Sequence, residues 1–529
     1  MRVWTVASVS VALSSVVCGC HGSKTTLPSD AGLAFDAGVE IQASAGSEAG
    51  PVSASGGAAC CQEQDASSGT GGYQQQVQGT GGAPLSPNDA AVAWPDGDRD
   101  AAAPDGDAQG AVPFGLYGAP LIFAPTSRSF GLHCVVVGGS PSRLRVQVRA
   151  EGAVNWSAGL APESPAPDVA RWRVEGLDAG TRYEYLVTGA EDTGTVVLFS
   201  GQVTTQRSPG EDFSFALITD SHIAPREVPA DDLGTNGSTE ETLLGVAADV
   251  LTYRPDFLIH LGDMLDFHSF GFNEPPTDGS WTRLGYLDYR RLLSETLGNT
   301  AHFAVIGNWE GENGDYTEEE ISRSRDQRLL YLPGPRPETY PETGSPNEDY
   351  YAFTWGDALF VVLNVMTYTP TRHDLSGTGG TADDWTLGET QLDWLEETLR
   401  NATSKWRFLF IHHTVGGAAG DEANSMYGRG GGQAAYVGEQ ALVHDLMIQY
   451  GVQVFFYGHD HVFVDMVVDG IHYTLPGSAG APWKFTEFET GYTDYWVDSG
   501  HARVDVTPDS VLVEFVALGG NVIYSYTLE

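Results

Sequence analysis

Seven residues of one chemical kind recur at the ends of short apolar runs. The runs read Phe215-Ala-Leu-Ile-Thr-Asp220-Ser-His222, Phe257-Leu-Ile-His-Leu-Gly262-Asp263, Phe303-Ala-Val-Ile-Gly307-Asn308, Phe408-Leu-Phe-Ile-His412-His413 and Val454-Phe-Phe-Tyr-Gly458-His459-Asp460-His461. Asp220, His222, Asp263, Asn308, His412, His459 and His461 offer carboxylate, amide and imidazole donors without a thiolate. That set suits Mn, Fe, Co, Ni or Zn and not a closed structural zinc site. Two such ions about 3.5–4 Å apart acidify a shared water and clamp a phosphoryl group for in-line displacement, with no protein nucleophile required. A single histidine at a strand end is ordinarily a core or surface residue, and His260, inside its run, is read that way. Seven donors agreeing in placement are expected to form a metal centre.

The elements that position them follow from the pattern. Parallel strands carry function at their carboxyl ends, where loops converge on one crevice. Between the runs lie stretches with apolar residues at three- and four-residue steps: Glu241–Leu251, Tyr286–Leu293, Gln391–Leu399 and Gln440–Ile448. These predict helices, and alternating strand and helix predicts an α/β domain over 207–529. Strand-like segments near 502–506, 510–516 and 522–526 are expected to complete its sheets. Residues 113–206 instead show short alternating stretches (Leu144-Arg-Val-Gln-Val-Arg, Tyr183-Glu-Tyr-Leu-Val, Val196-Val-Leu-Phe) separated by Gly, Pro, Asp and Ser. They predict an antiparallel sandwich of roughly 100 residues.

The motifs from Asp220 to His461 resemble those of the calcineurin-like metallophosphoesterases, in the family's order. The resemblance implies a four-layer α/β/β/α fold. It implies one metal held by Asp220, His222, Asp263 and His461, and a second held by Asp263, Asn308, His412 and His459, with Asp263 bridging. The implied cofactors are two divalent or trivalent transition-metal ions such as Fe, Mn or Zn. The implied activity is hydrolysis of a phosphoric ester by metal-bound hydroxide, with a phosphomonoesterase favoured and a phosphodiesterase as the alternative. Trp172 to Tyr185, with Leu177, Gly180, Thr181 and Tyr183, resembles the late strands of a fibronectin type III domain. A sandwich ahead of the catalytic domain, together with Gly307-Asn308-Trp309-Glu310, is similar to the purple acid phosphatase architecture. Those enzymes carry tyrosine where Asp266 stands and lack a histidine at 222, so their iron-tyrosinate colour is not expected.

Trp309 is the departure: the family has histidine there, assigned to the leaving group or to transition-state charge. An indole N–H donates a hydrogen bond but is no acid. His268 is the candidate substitute, with His373 and His413 as other histidines at the same end. Arg429, in the run Tyr427-Gly-Arg-Gly-Gly-Gly, is a candidate phosphate clamp. A competing reading makes the chain a surface-binding protein with an impaired catalytic domain.

The chain has 529 residues, with 70 Asp+Glu against 27 Lys+Arg and a formal net charge of −43. Such a field disfavours nucleic acid as a partner. Residues 1–20 read as an export signal: Arg2, an apolar run to Val17, then Val17-Cys-Gly-Cys20, which resembles a bacterial lipobox with Cys20 acylated. Residues 21–112, rich in Gly, Ala, Ser, Pro and Asp, are expected to be a disordered tether. The expected setting is a lipoprotein on the cell surface or in the periplasm, with free secretion as the alternative. Cys60, Cys61 and Cys134 make no disulfide framework.

Overall fold

The computed structural model describes residues 112–191, 194–223, 240–266, 280–312, 317–369, 386–415, 427–428, 438–481, 483–485 and 491–529. The export signal, Cys20, the low-complexity segment, His268, His373 and Arg429 lie outside them.

Two sheets face each other. Numbered in chain order, the strands used here are β1 (Leu121–Phe123), β2 (Ser129–Val137), β3 (Leu144–Ala150), β4 (Glu163–Ala166), β5 (Val169–Glu175), β6 (Arg182–Glu191), β7 (Gly194–Thr204), β8 (Phe213–Ile218), β9 (Phe257–His260), β10 (Ala301–Ala304), β11 (Tyr351–Trp355), β12 (Ala358–Val362), β13 (Trp406–Phe410), β14 (Val454–Phe456), β15 (Phe463–Val468), β16 (Ile471–Pro476), β17 (Gly500–Val506), β18 (Val511–Ala517) and β19 (Asn521–Leu528). The first sheet runs β19-β18-β17-β8-β9-β10-β1-β2-β5-β4, and the second β11-β12-β13-β14-β16-β15. Strands β8, β9 and β10 are parallel, as are β12, β13, β14 and β16.

The parallel strands are buried on both faces over most of their length, which is why most of them read as largely apolar runs. The inward faces meet in an aromatic seam. Phe215 stacks on Phe257 (5.3 Å, 3°) and meets Phe360 of the second sheet edge-on (5.2 Å, 82°). Truncating one such ring to alanine costs about 3–5 kcal/mol. The outward faces are covered by helices: α1 (Glu240–Tyr253) and α2 (Ser280–Leu292) on the first sheet, α5 (Glu389–Asn401) and α6 (Gly438–Gln449) on the second. Between these pairs in the chain come α3 (Ser294–Leu297) and α4 (Glu318–Tyr331). The layers are therefore α/β/β/α, as the motif resemblance implies, and four of the helices coincide with the periodic stretches.

The N-terminal all-β region is built from β1 to β7. Strands β3, β6 and β7 form their own three-stranded sheet, packed through Val146, Tyr185 and Val187 onto Leu132, Cys134 and Trp172 of the other layer. The Tyr183 hydroxyl accepts from the Asp178 N–H at 3.0 Å and pins the corner before β6.

That other layer does not stop at residue 206. Strand β1 pairs parallel with β10 through His302 and Phe123, so β1, β2, β5 and β4 extend the α/β domain's own sheet. Arg290 of α2 ties the join. Its guanidinium is fully buried and donates to His133 Nδ1 (2.5 Å), the His133 carbonyl (2.9 Å) and the Tyr331 carbonyl (3.0 Å). His133 must then carry its proton on Nε2, which donates to the Leu330 carbonyl at 2.7 Å. Burial and the neighbouring Arg290 hold that imidazole neutral, well below its ordinary pKa.

Candidate metal centre

Asp220 follows β8 by two residues, Asp263 follows β9 by three, Asn308 follows β10 by four, His412 follows β13 by two and His459 follows β14 by three. Both sheets thus deliver side chains from their carboxyl ends to one crevice. The loops continue the ladder past the strands: Asp220 N–H donates to the Gly262 carbonyl (3.0 Å), His222 N–H to the Asp263 carbonyl (3.0 Å) and Gly458 N–H to the His412 carbonyl (2.9 Å). This crowding explains two glycines. A Cβ on Gly307 would sit 2.3 Å from Asp263 Oδ1, and one on Gly458 2.3 Å from Thr219 Oγ1.

Two clusters of donor atoms result, each with its atoms within 4.8 Å of one another: Asp220, His222, Asp263 and His461, and His412, His413 and His459. In the first, His222 Nε2 lies 3.2 Å from His461 Nε2, 3.7 Å from Asp220 Oδ1 and 3.6 Å from Asp263 Oδ2. His461 Nε2 is 3.2 Å from Asp220 Oδ1. The clusters touch where His412 Nε2 meets Asp263 Oδ2 at 3.1 Å. Asn308 Oδ1 lies 3.1 Å from His459 Nδ1. All seven expected ligands are therefore brought to one place and are buried. His413, read from sequence only as a nearby loop histidine, joins them, its ring 4.0 Å from that of His459 and tilted by 35°. Its adjacency to His412 was the available signal.

Backbone conformation marks the same residues. Ten non-glycine residues have positive φ among those described, and five are expected ligands: Asp220 (53°), His222 (45°), Asp263 (54°), His459 (76°) and His461 (61°). The left-handed region costs an ordinary residue roughly 1–2 kcal/mol, and such strain clusters at functional sites.

The donor atoms fit transition-metal ions. His412 donates its Nδ1 proton to the Leu261 carbonyl (2.7 Å), and His461 donates its own to the Trp483 carbonyl (3.0 Å). Both Nε2 lone pairs then point inward, the arrangement metal-ligating histidines adopt. His412 Nε2 and Asp263 Oδ2 are buried facing each other at 3.1 Å, with no other hydrogen-bond partner, so once the imidazole gives up its proton both offer lone pairs to the same space. Lone pairs facing lone pairs in a dry crevice call for cations. Two ions suit the two clusters.

The surroundings hold this geometry. Glu310, fully buried, accepts from four backbone amides: Gly307 (2.6 Å), Met264 (2.5 Å), Asp263 (3.1 Å) and Leu265 (3.3 Å). It thereby ties the second and third ligand loops together. His260 accepts from Gly262 N–H at Nδ1 (3.2 Å), so its Nε2 proton goes to Ser221 Oγ (3.0 Å). It is a core histidine, as read, though it also braces two ligand loops. Trp309 gives its backbone N–H to Asp263 Oδ1 (2.9 Å), and its ring meets His222 edge-on at 4.8 Å. Asp266 is fully buried beside this cluster.

Charge sets a pH dependence. Burial disfavours protonated His412, but Asp263 and Asp220 override it and raise the imidazole to about 9. A raised pKa means protonation stabilises the metal-free fold, fully below the ordinary value near 6.5 and less as pH climbs through 9. Loading metal must expel that proton. Metal-free protein should therefore melt at lower temperature at pH 9 than at pH 6.5, while metal affinity should rise over the same interval. Calorimetry and metal titration at the two pH values check both signs.

Residues 213–463 match the profile of the calcineurin-like phosphoesterases. The chain carries a calcineurin-like phosphoesterase domain. With its donor clusters, the phosphoesterase domain makes this protein a metal-dependent enzyme acting on phosphate esters. Solved structures share the fold. A purple acid phosphatase, PPD1, from yellow lupin (Lupinus luteus) seeds is 14% identical with a TM-score of 0.57, over 78% of this chain and 74% of the lupin chain. A structure of PhoD is 15% identical with a TM-score of 0.60, over 79% of this chain and 92% of its own. No curated protein is significantly similar in sequence.

Proposed function

We propose that the protein is an exported phosphomonoesterase, anchored through an acylated Cys20, with a fibronectin type III-like region ahead of its phosphoesterase domain. The reading rests on one observation above the others: two adjoining buried donor clusters meet at Asp263. In this proposal one ion is held by Asp220, His222, Asp263 and His461. The second is held by Asp263, Asn308, His412 and His459, with His413 beside it. Bound there, the ions supply Lewis-acid chemistry: they acidify a water and offset charge on the phosphoryl oxygens. The chain's own residues do the positioning. The Leu261 and Trp483 carbonyls fix the tautomers of His412 and His461, Glu310 sets the loop spacing, and Trp309 N–H orients Asp263.

Metal analysis with turnover of p-nitrophenyl phosphate and of its bis ester tests this. Two metals per chain with faster monoester turnover is the expected result. Faster diester turnover would make the enzyme a phosphodiesterase. Two bound metals without turnover of either ester would leave only a binding role. Mass spectrometry of the mature amino terminus reads the state of Cys20.

A further inference from the structure

We propose that the enzyme's preferred esters have a planar, phenolic leaving group, which packs on an aromatic wall at the metal centre and departs as phenolate without a proton from position 309. This rests on the phosphoesterase reading. Three half-buried rings flank the His222–His461 pair. Trp309 stands 4.8 Å from His222 at 84°, Trp483 stands 4.8 Å from His222 and 5.0 Å from His461, and Phe485 stands 5.2 Å from His461. Trp309 and Trp483 are 6.1 Å apart at 42°, too close to sandwich a third ring, so a ligand ring lies against their outer faces.

The wall is built before any ligand arrives. The Trp483 carbonyl accepts from His461 Nδ1 (3.0 Å), and Phe485 N–H donates to the Asp460 carbonyl (3.3 Å). Trp309 is fixed through its amide on Asp263. Three aromatic rings beside phosphate-binding metals favour an apolar, flat group, since ring pairs gain beyond the area they bury.

The chemistry points the same way. Water oxygen bonds to phosphorus as the phosphorus–oxygen bond to the leaving group breaks, and the leaving oxygen takes the electron pair. An alkoxide needs a proton at that moment. A phenolate does not: one proton of the acidified water passes to solvent, the other stays on the phosphate, and the phenolate leaves with the electron pair. Indole supplies no acid, so Trp309 selects by leaving-group stability as well as by shape.

Two measurements test this. Phenylphosphonate and methylphosphonate, neither hydrolysed, are titrated calorimetrically into the metal-loaded protein. Phenylphosphonate should bind about tenfold more tightly, in line with one or two aromatic pairs. Trp309→Leu, which keeps apolar bulk, should lose most of that preference, as should Trp309→Ala where it folds. Across substituted phenyl phosphates and an alkyl phosphate, kcat/KM should fall steeply with leaving-group pKa. Trp309→His, which returns an imidazole, should flatten the slope and raise alkyl turnover toward the roughly 10²-fold contribution of a positioned acid. Equal phosphonate affinities, or a slope Trp309→His leaves unchanged, overturn the proposal. If no ester turns over with two metals bound, the phosphoesterase reading falls, and the phosphonate ratio still judges the aromatic wall.

Discussion

Asp263→Asn should leave the protein folded yet strip it of one metal and nearly all of its activity. Asp263 Oδ2 lies 3.1 Å from His412 Nε2 and 3.6 Å from His222 Nε2, so one oxygen faces both clusters. Asparagine keeps the size and tolerates the left-handed backbone at φ 54° better than most residues. The Trp309 amide can still be satisfied by its oxygen. What disappears is the negative charge at the junction, where two cations would otherwise repel. Metal analysis should fall from two equivalents to one or fewer, and kcat/KM should fall by at least about 10²–10³, the scale of losing one preorganised charge-stabilising group. Retention of both metals with turnover within tenfold of the parent would remove Asp263 from its central place.

The second large effect concerns a residue whose hydrogen bonds go to backbone amides and not to any ligand side chain. Glu310→Ala should abandon four buried amide donors at once. Each unsatisfied donor costs about 1–3 kcal/mol, against a total stability of about 5–15 kcal/mol for an ordinary fold. The variant should fail to accumulate as folded protein. Glu310→Gln is the informative version, because it keeps the shape but turns an NH2 group toward backbone donors. It should lower stability to urea by about 2–4 kcal/mol and weaken metal binding by about 10–100-fold. If metal affinity is unchanged while stability drops, Glu310 is a staple of the fold and nothing more.

The ligand strands were legible because their burial on both faces writes a largely apolar run, ending at a residue that no core would choose. Helices α1, α2, α5 and α6 showed through their spacing for the same reason: one face must meet a sheet. Helix α4 did not, since Glu318–Tyr331 is charged nearly all round, with Arg328 turned inward to Glu312 (2.6 Å). A local signal existed in Thr317-Glu-Glu-Glu320, whose ends form a reciprocal capping box. Glu310 escaped notice because its partners are backbone amides of another loop, which no side-chain pattern records. The wall of Trp309, Trp483 and Phe485 is likewise assembled from segments more than 170 residues apart. The pairing of β1 with β10 is a three-residue strand meeting a distant one, below what alternation reveals.

That pairing changes what the N-terminal all-β region is to the enzyme. A sheet ending at β10 would expose a bare rim of N–H and C=O groups, the template on which chains stick to one another. Strand β1 covers the rim, and Arg290 locks the cover from beneath by holding β2. The region is thus a lid on aggregation as much as a neighbour of the catalytic half. Cutting the chain at the start of β8 would not free a smaller enzyme; it would uncork one.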